Sequence, residues 1–490
     1  MNTEYLHNKC DYKYYKKENV TFMKRQKSTY KSTYRSILVI GSCLLLTALV
    51  SGCNESAKAP TVAETADETA QLQHSDTAQY SDKLEPQQLY PKAHPDMQPE
   101  LAVAGDHKVG VQTLDITNEQ YFDLLANEIK PRSLKIEVWY PADFKDGTPL
   151  TSYENETRLA KKFSIQANAA RDVTPMVSES KYPVVVISHG YTGYRQIMFY
   201  LGEHLASHGY IVAAIDHTDS TNEDVDMVNA PSNGFPSTLL NRSRDQQFTL
   251  DFITNEKHFL SDVVNDKDAG LIGYSMGGFG AVNTVGGCYN FSAQAAGMFT
   301  GVKDENMMAM VQKGLNSCAA GQYENPKVDD KWKAAITFAA WGGQHNLFTD
   351  ESLANIPVPK LFISGNLDDI SGYAGIQSLY EKTQAPSTYL LTMINARHNI
   401  APHPAPKEAW GSETDFGHYY ESSWSTAVLN EINKHFVLAM MDCHVKKQAD
   451  KCDYLNLPVS SDQVQVDGKL PEPWKGFDSR FSTGLRWEQK

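Results

Sequence analysis

The sequence predicts an α/β fold, a mostly parallel sheet with helices on both faces, and three observations carry that expectation. Residues 182–188, 211–215 and 269–273 are short apolar runs without polar alternation, the pattern of strands buried on both faces. Helical spacing separates them: Met198, Leu201, Leu205 and Ala206 recur on one face until Gly209, and residues 250–264 form a second amphipathic stretch. Strand and helix then alternate through the rest of the chain, which favours parallel pairing. The third observation is Gly273-Tyr274-Ser275-Met276-Gly277, a Gly-x-Ser-x-Gly pattern placed where a strand turns into a helix.

Taken in order, residues 1–52 read as a targeting segment. Lys24, Arg25, Lys27, Lys31 and Arg35 precede an apolar run over residues 37–50, too short as helix to cross a hydrocarbon core of roughly 30 Å. The polar region ahead of Met23 is long for such a segment, which leaves Met1 or Met23 as the start. Val50-Ser51-Gly52-Cys53 resembles the lipobox of bacterial lipoproteins. That resemblance implies lipidation at Cys53, export, and a membrane partner engaged through an N-terminal lipid anchor; Asn54 after the cysteine implies the outer membrane. Residues 53–100 are rich in Ala, Thr, Asp, Glu, Gln and Pro without periodicity, and predict a disordered tether. Residues 101–450 are expected to form the catalytic domain and residues 451–490 a C-terminal tail, an extended wrap or a loose end.

Within the domain, residues 133–140 alternate polar and apolar up to Pro141, an early half-exposed strand. Residues 334–339, 360–364 and 388–394 read as further strands, residues 373–382 and 423–441 as helices. Two long polar excursions, 217–245 and 286–331, break the rhythm and are expected to be lids or binding loops. The whole chain has 45 Lys and Arg against 59 Asp and Glu, net −14; without residues 1–52 the balance is −20. Such a surface repels phosphate backbones, so nucleic acid is not expected as a partner. Four cysteines follow Cys53: Cys288, Cys318, Cys443 and Cys452. An even number in an exported chain predicts two disulfides with three possible pairings, the sequence-local one being the expectation. No Cys-x-x-Cys or spaced histidine pair points to a metal.

The chemistry follows from Ser275. A serine hydroxyl is a poor nucleophile and needs a base that is itself oriented by a carboxylate. After the strand Leu361-Phe362-Ile363-Ser364 comes Gly365-Asn366-Leu367-Asp368-Asp369, which offers Asp368 as the acid with Asp369 as the alternative. After the next strand comes Asn395-Ala396-Arg397-His398, which offers His398 as the base, His403 being less well placed. Both stand at the carboxyl edge of parallel strands, where such sites collect. The oxyanion needs backbone donors: Met276, directly after the nucleophile, and Tyr191, on the loop Ser188-His189-Gly190-Tyr191-Thr192-Gly193. His189 precedes the serine and is expected to shape that loop. Trp341, after another strand, is either a substrate-pocket residue or core.

Trp139-Tyr140-Pro141, the Ser188–Gly193 loop, Ala214-Ile215-Asp216-His217, Gly273-Tyr274-Ser275-Met276-Gly277-Gly278 and Gly365-x-x-Asp368 together resemble the dienelactone hydrolase superfamily. Within it the chain most resembles the platelet-activating-factor acetylhydrolase-like branch of α/β-hydrolases, over roughly residues 105–441. The serine motif and the Gly-Tyr-Thr loop are also similar to bacterial cutinases and polyester hydrolases. The resemblance implies an α/β-hydrolase fold and a serine carboxylesterase acting on a small-molecule or lipid ester without metal or organic cofactor. Two departures matter. Dienelactone hydrolases use a cysteine nucleophile where Ser275 stands here, and the excursion holding Cys288 and Cys318 is larger than a cutinase has, which implies a covered site and smaller substrates.

Overall fold

The computed structural model describes residues 98–490 except 124–127, 386, 462–472 and 479–480. Residues 1–52, the lipidation candidate Cys53 and nearly all of the tether lie outside the described residues. Among those described, no helix is long and apolar enough to cross a membrane.

An eleven-stranded sheet organises the chain. Its main strands are β1 (Lys108–Asn118), β2 (Arg132–Asp143), β3 (Tyr182–Ser188), β4 (Ile211–Asp216), β5 (Val264–Tyr274), β6 (Trp332–Phe338), β7 (Lys360–Gly365), β8 (Thr388–Met393) and β9 (Leu485–Gln489). Their spatial order is β9-β8-β7-β6-β5-β3-β4-β2-β1, with the short strand Ala169–Arg171 beyond β1. Strands β3 to β8 pair in parallel, whereas β2 runs antiparallel to both β1 and β4. Order and direction are those of an α/β-hydrolase sheet, as the sequence predicts. The expected end of β2 at Pro141 is not observed: the strand continues to Asp143 because β4 pairs only as far as Trp139, so proline breaks no ladder on that side.

Every residue of β3 is buried, and successive side chains serve opposite layers. Val185 and Ile187 pack with helices α1 (Phe199–Ser207) and α7 (Thr426–His444), through Leu201, Leu205, Phe436 and Met440. Val184 and Val186 pack with α2 (Phe235–Asn255) and α3 (Met276–Thr284), through Leu239, Leu250, Phe279 and Val282. The excursion after α3 folds into two helices, α4 (Ala293–Thr300) and α5 (Glu305–Leu315), whose N-termini are capped by Ser292 and Asp304. The Cys288–Cys318 disulfide closes it, and Cys443–Cys452 joins the end of α7 to the segment that follows; the sequence-local pairing is the one observed. Helix α6 (Tyr373–Lys382) covers β7 and β8.

Two boundaries differ from expectation. Helix α2 begins at Phe235, not near residue 250, because its first half buries Asn241, Arg242, Asp245 and Gln246, which hides the apolar period. Residues 451–490 are not a tail outside the domain. Leu485–Gln489 pairs antiparallel with β8 and forms the edge of the sheet, while Trp487, fully buried, packs against Phe436 and Tyr389 with ring centroids 5.2 Å apart in each case. Two apolar residues alternating with charge in a five-residue strand left too weak a pattern to read.

The core also holds neutral histidines. Burial pushes His403 down to about 4 and both His217 and His435 down to about 3, against roughly 6.5 in an unfolded chain. Between these values the unfolded chain binds more protons, so this contribution to stability is complete above pH 6.5 and is lost as pH falls towards 4. The unfolding temperature is therefore expected to drop steeply from pH 7 to pH 5, with up to about 1.4 kcal/mol per pH unit for each such histidine. Calorimetric scans across that range check it.

Candidate active site

Strand β5 delivers Ser275 into backbone that non-glycine residues avoid, with φ 53° and ψ −113°. The glycines on either side are required by contact. A Cβ on Gly273 would lie 2.3 Å from the Gly277 carbonyl oxygen, and one on Gly277 would lie 2.1 Å from that of Ser188. The turn is held by the Ser275 N–H donating to Phe338 O (2.8 Å) and by the Phe279 and Trp341 N–H groups donating to Ser275 O.

Ser275, Asp368 and His398 come together. His398 Nε2 is 3.0 Å from Ser275 Oγ, and Nδ1 is 3.0 Å from each carboxylate oxygen of Asp368. The carboxylate fixes the proton on Nδ1 and leaves Nε2 free to accept the serine proton. Asp368 is itself oriented by the N–H groups of Ile370 (3.0 Å) and Ser371 (2.8 Å). All three residues are at most 8% exposed. Asp369 points elsewhere: its exposed carboxylate is bound bidentately by Arg397, which holds it below the ordinary carboxylate range despite partial burial. His403 is in a different place, hydrogen-bonded to Tyr194 Oη and buried in the α1/α7 layer.

The loop after β3 lies against the nucleophile, since a Cβ on Gly190 would stand 3.0 Å from Ser275 Cβ. Met276 opens α3, so its N–H has no partner within the helix. The Gly190–Tyr191 peptide is clamped from its carbonyl end. His217 N–H donates to His189 Nε2 (3.2 Å), which places the His189 proton on Nδ1, and that N–H donates to Gly190 O at 2.6 Å. Arg242 Nη2 donates to the same oxygen at 3.1 Å. Arg242 is fully buried, its Nε and Nη1 have no hydrogen-bond partner among the described residues, and burial pushes it down to about 9. Two donors on Gly190 O polarise the peptide whose N–H belongs to Tyr191. Arg242→Met is therefore expected to lower kcat about 10- to 100-fold with little change in KM, less than losing an oxyanion donor outright. The same change should leave or raise the unfolding midpoint, because it removes a buried charge that Asp245 offsets only from beyond ion-pair contact. Steady-state kinetics beside denaturation check both.

Ser275 and His398 open onto a cavity of about 640 Å³. Tyr191 and Tyr274 wall it near the serine, Met227 reaches it from the first excursion, and Phe416, His418 and Tyr420 reach it from the segment between β8 and α7. The expectation for the second excursion is corrected. No residue of 286–331 lines this cavity; the region is tied by its disulfide around α4 and α5 and borders a separate hollow of about 510 Å³ instead. Trp341 is likewise corrected from pocket to core: it is 7% exposed, does not line the cavity, and packs against Phe235, Phe279, Phe299 and His345. Arg158, Arg242, His418 and the cover over residues 413–422 were absent from the sequence reading. Among the described residues no three His, Cys, Asp or Glu side chains converge as a metal site.

The family model for platelet-activating factor acetylhydrolase, isoform II, matches residues 100–232, and one described as PET hydrolase-like matches residues 170–298. A platelet-activating factor acetylhydrolase of Canis lupus familiaris is 48% identical over 48 residues, 10% of this chain and 11% of that one. Cutinase est1 of Thermobifida alba is 35% identical over 104 residues, 21% of this chain and 29% of that one. The chain thus spans less than a third of the length of either of these curated relatives. A solved ferulic acid esterase from Streptomyces cinnamoneus superposes with a TM-score of 0.47 at 19% identity, over 72% of this chain and 94% of that one.

Proposed function

We propose that this chain, an α/β-hydrolase similar to the platelet-activating-factor acetylhydrolase family, hydrolyses carboxylic esters of short to medium acyl length through an acyl-enzyme on Ser275. The observation that carries the reading is the Ser275–His398–Asp368 relay, with 3.0 Å at each step.

In this reading His398 Nε2 takes the Ser275 proton as Oγ attacks the ester carbonyl. Asp368 stabilises the imidazolium that forms, and the Tyr191 and Met276 N–H groups receive the oxyanion. His398 then returns the proton to the departing alcohol. A water activated by the same imidazole releases the acid and restores the serine. These steps draw on no metal or organic cofactor. A cavity of about 640 Å³ accommodates a small ester with its acyl chain, and its aromatic walls favour apolar chains. Two disulfides support the further reading that the chain is exported, in keeping with an oxidising compartment; anchoring through a lipid on Cys53 is the part of that reading carried by the lipobox-like Val50-Ser51-Gly52-Cys53.

The test is hydrolysis of p-nitrophenyl esters from two to twelve carbons, with matched anilides and a fluorophosphonate label. Serine-dependent ester cleavage with a short-to-medium optimum is expected, with anilides far slower. Faster anilide cleavage would reassign the triad to an amidase, and no labelling or turnover would leave a binding protein with a hydrolase fold.

A further inference from the structure

We infer that the ester substrate carries an anionic group, a carboxylate or a phosphate, that Arg158 receives beside the candidate nucleophile. The inference rests on the esterase reading and names the substrate class of the same site.

Arg158 lies between the hairpin strands Ser152–Glu156 and Lys162–Gln166, remote in sequence from the strands that carry the triad. It nevertheless lines the same cavity as Ser275 and His398. Its Nε donates to Thr192 Oγ1 at 3.1 Å, and Nη2 reaches the Tyr191 and Thr192 carbonyl oxygens at 3.4 Å each. All three acceptors are neutral. The acids around the cavity are otherwise engaged or distant: Asp369 is bound by Arg397, Asp415 is ion-paired with Lys161 at 3.2 Å, and Glu413 is exposed at the rim. Among the described residues Arg158 thus has no carboxylate in ion-pair contact. Burial lowers its pKa by more than the field of Asp415 and the surrounding tyrosines raises it.

A second group points the same way. His418 also lines the cavity, is only 4% exposed, and its Nδ1 has no hydrogen-bond partner among the described residues. Burial first, then Arg158, holds it well below the ordinary histidine range. An anion between the two would offset both desolvated groups. It would offer the guanidinium charged acceptors for its unused donors, and would favour the imidazolium form, in which Nδ1 also donates. A neutral ester does neither.

The test compares two substrate pairs. One is the mono-4-nitrophenyl ester of adipate against 4-nitrophenyl hexanoate, which places a carboxylate on the acyl side. The other is 1-butyryl-glycerol 3-phosphate against monobutyrin, which places a phosphate on the alcohol side. In at least one pair kcat/KM should favour the anion. Arg158→Gln should cut that ratio about 10- to 100-fold, the range of a charge-assisted hydrogen bond, and Arg158→Lys should retain part of it. A fall common to both members of a pair reports only the loop held through Thr192 and leaves the ratio to decide. Unchanged ratios in both pairs would overturn the inference. Calorimetric binding of adipate and of glycerol 3-phosphate to Ser275→Ala, with and without Arg158→Gln, reads the anion site without turnover. Binding lost with Arg158 supports the site even if every ester resists cleavage, in which case the esterase reading alone fails; no binding of either anion sinks the site.

Discussion

Ser275→Ala is expected to lower kcat/KM by about 10⁴- to 10⁶-fold on every ester the wild type accepts, while leaving the fold intact. The substitution removes the hydroxyl that His398 Nε2 meets at 3.0 Å, and alanine is no larger than serine in the constrained turn. His398→Ala should cost a similar factor, and the double variant no more than either alone, because the two act as one unit. Asp368→Asn should cost about 10⁴-fold, since an amide no longer fixes the proton on Nδ1. Asp369→Asn should cost far less, because that carboxylate faces Arg397 and not the imidazole. Steady-state kinetics on one ester, with circular dichroism to verify folding, separates these outcomes. Near-equal losses for the two aspartate variants would overturn the assignment of the acid.

Trp487→Ala is expected to destabilise the domain by about 3–5 kcal/mol, the range for removing a fully buried aromatic side chain. The indole is sealed between Phe436 on α7 and Tyr389 on β8, and its Nε1–H donates to Leu455 O at 3.1 Å. Its loss therefore opens a cavity at a junction of strand, helix and the segment that follows the Cys443–Cys452 disulfide. Deleting residues 485–490 should be worse, since it also exposes the β8 ladder as an unpaired edge and invites aggregation. Chemical denaturation of the substituted chain and light scattering of the shortened one are the measurements. A loss under about 1 kcal/mol would mean that β9 only decorates the sheet.

The triad was legible because each member follows a strand that announces itself. Buried, largely apolar runs stop just before Ser275 and just before the loops of Asp368 and His398, and chain order did the rest. Sequence favoured Asp368 without excluding Asp369, because adjacent residues in a turn face opposite ways; the N–H groups of Ile370 and Ser371 turn Asp368 inward. The layer beneath the oxyanion loop was invisible for another reason. Arg242, Asp245 and Gln246 are polar residues doing a core's work, so hydropathy reads their helix as an excursion. Arg158 and His418 lie in irregular segments, where neither periodicity nor a motif marks a residue that tertiary structure carries to the site. Trp341 shows the opposite case, since an aromatic that follows β6, the strand next to the one delivering Ser275, turned into the adjoining core.

The pairing of β8 with β9 sets a clock on biosynthesis. Residues 388–393 leave the ribosome long before residues 485–489, and at roughly 5–20 residues per second the interval is about 5–18 s. Throughout it, the strand that leads into the His398 loop presents a bare edge to every other nascent or unfolded chain.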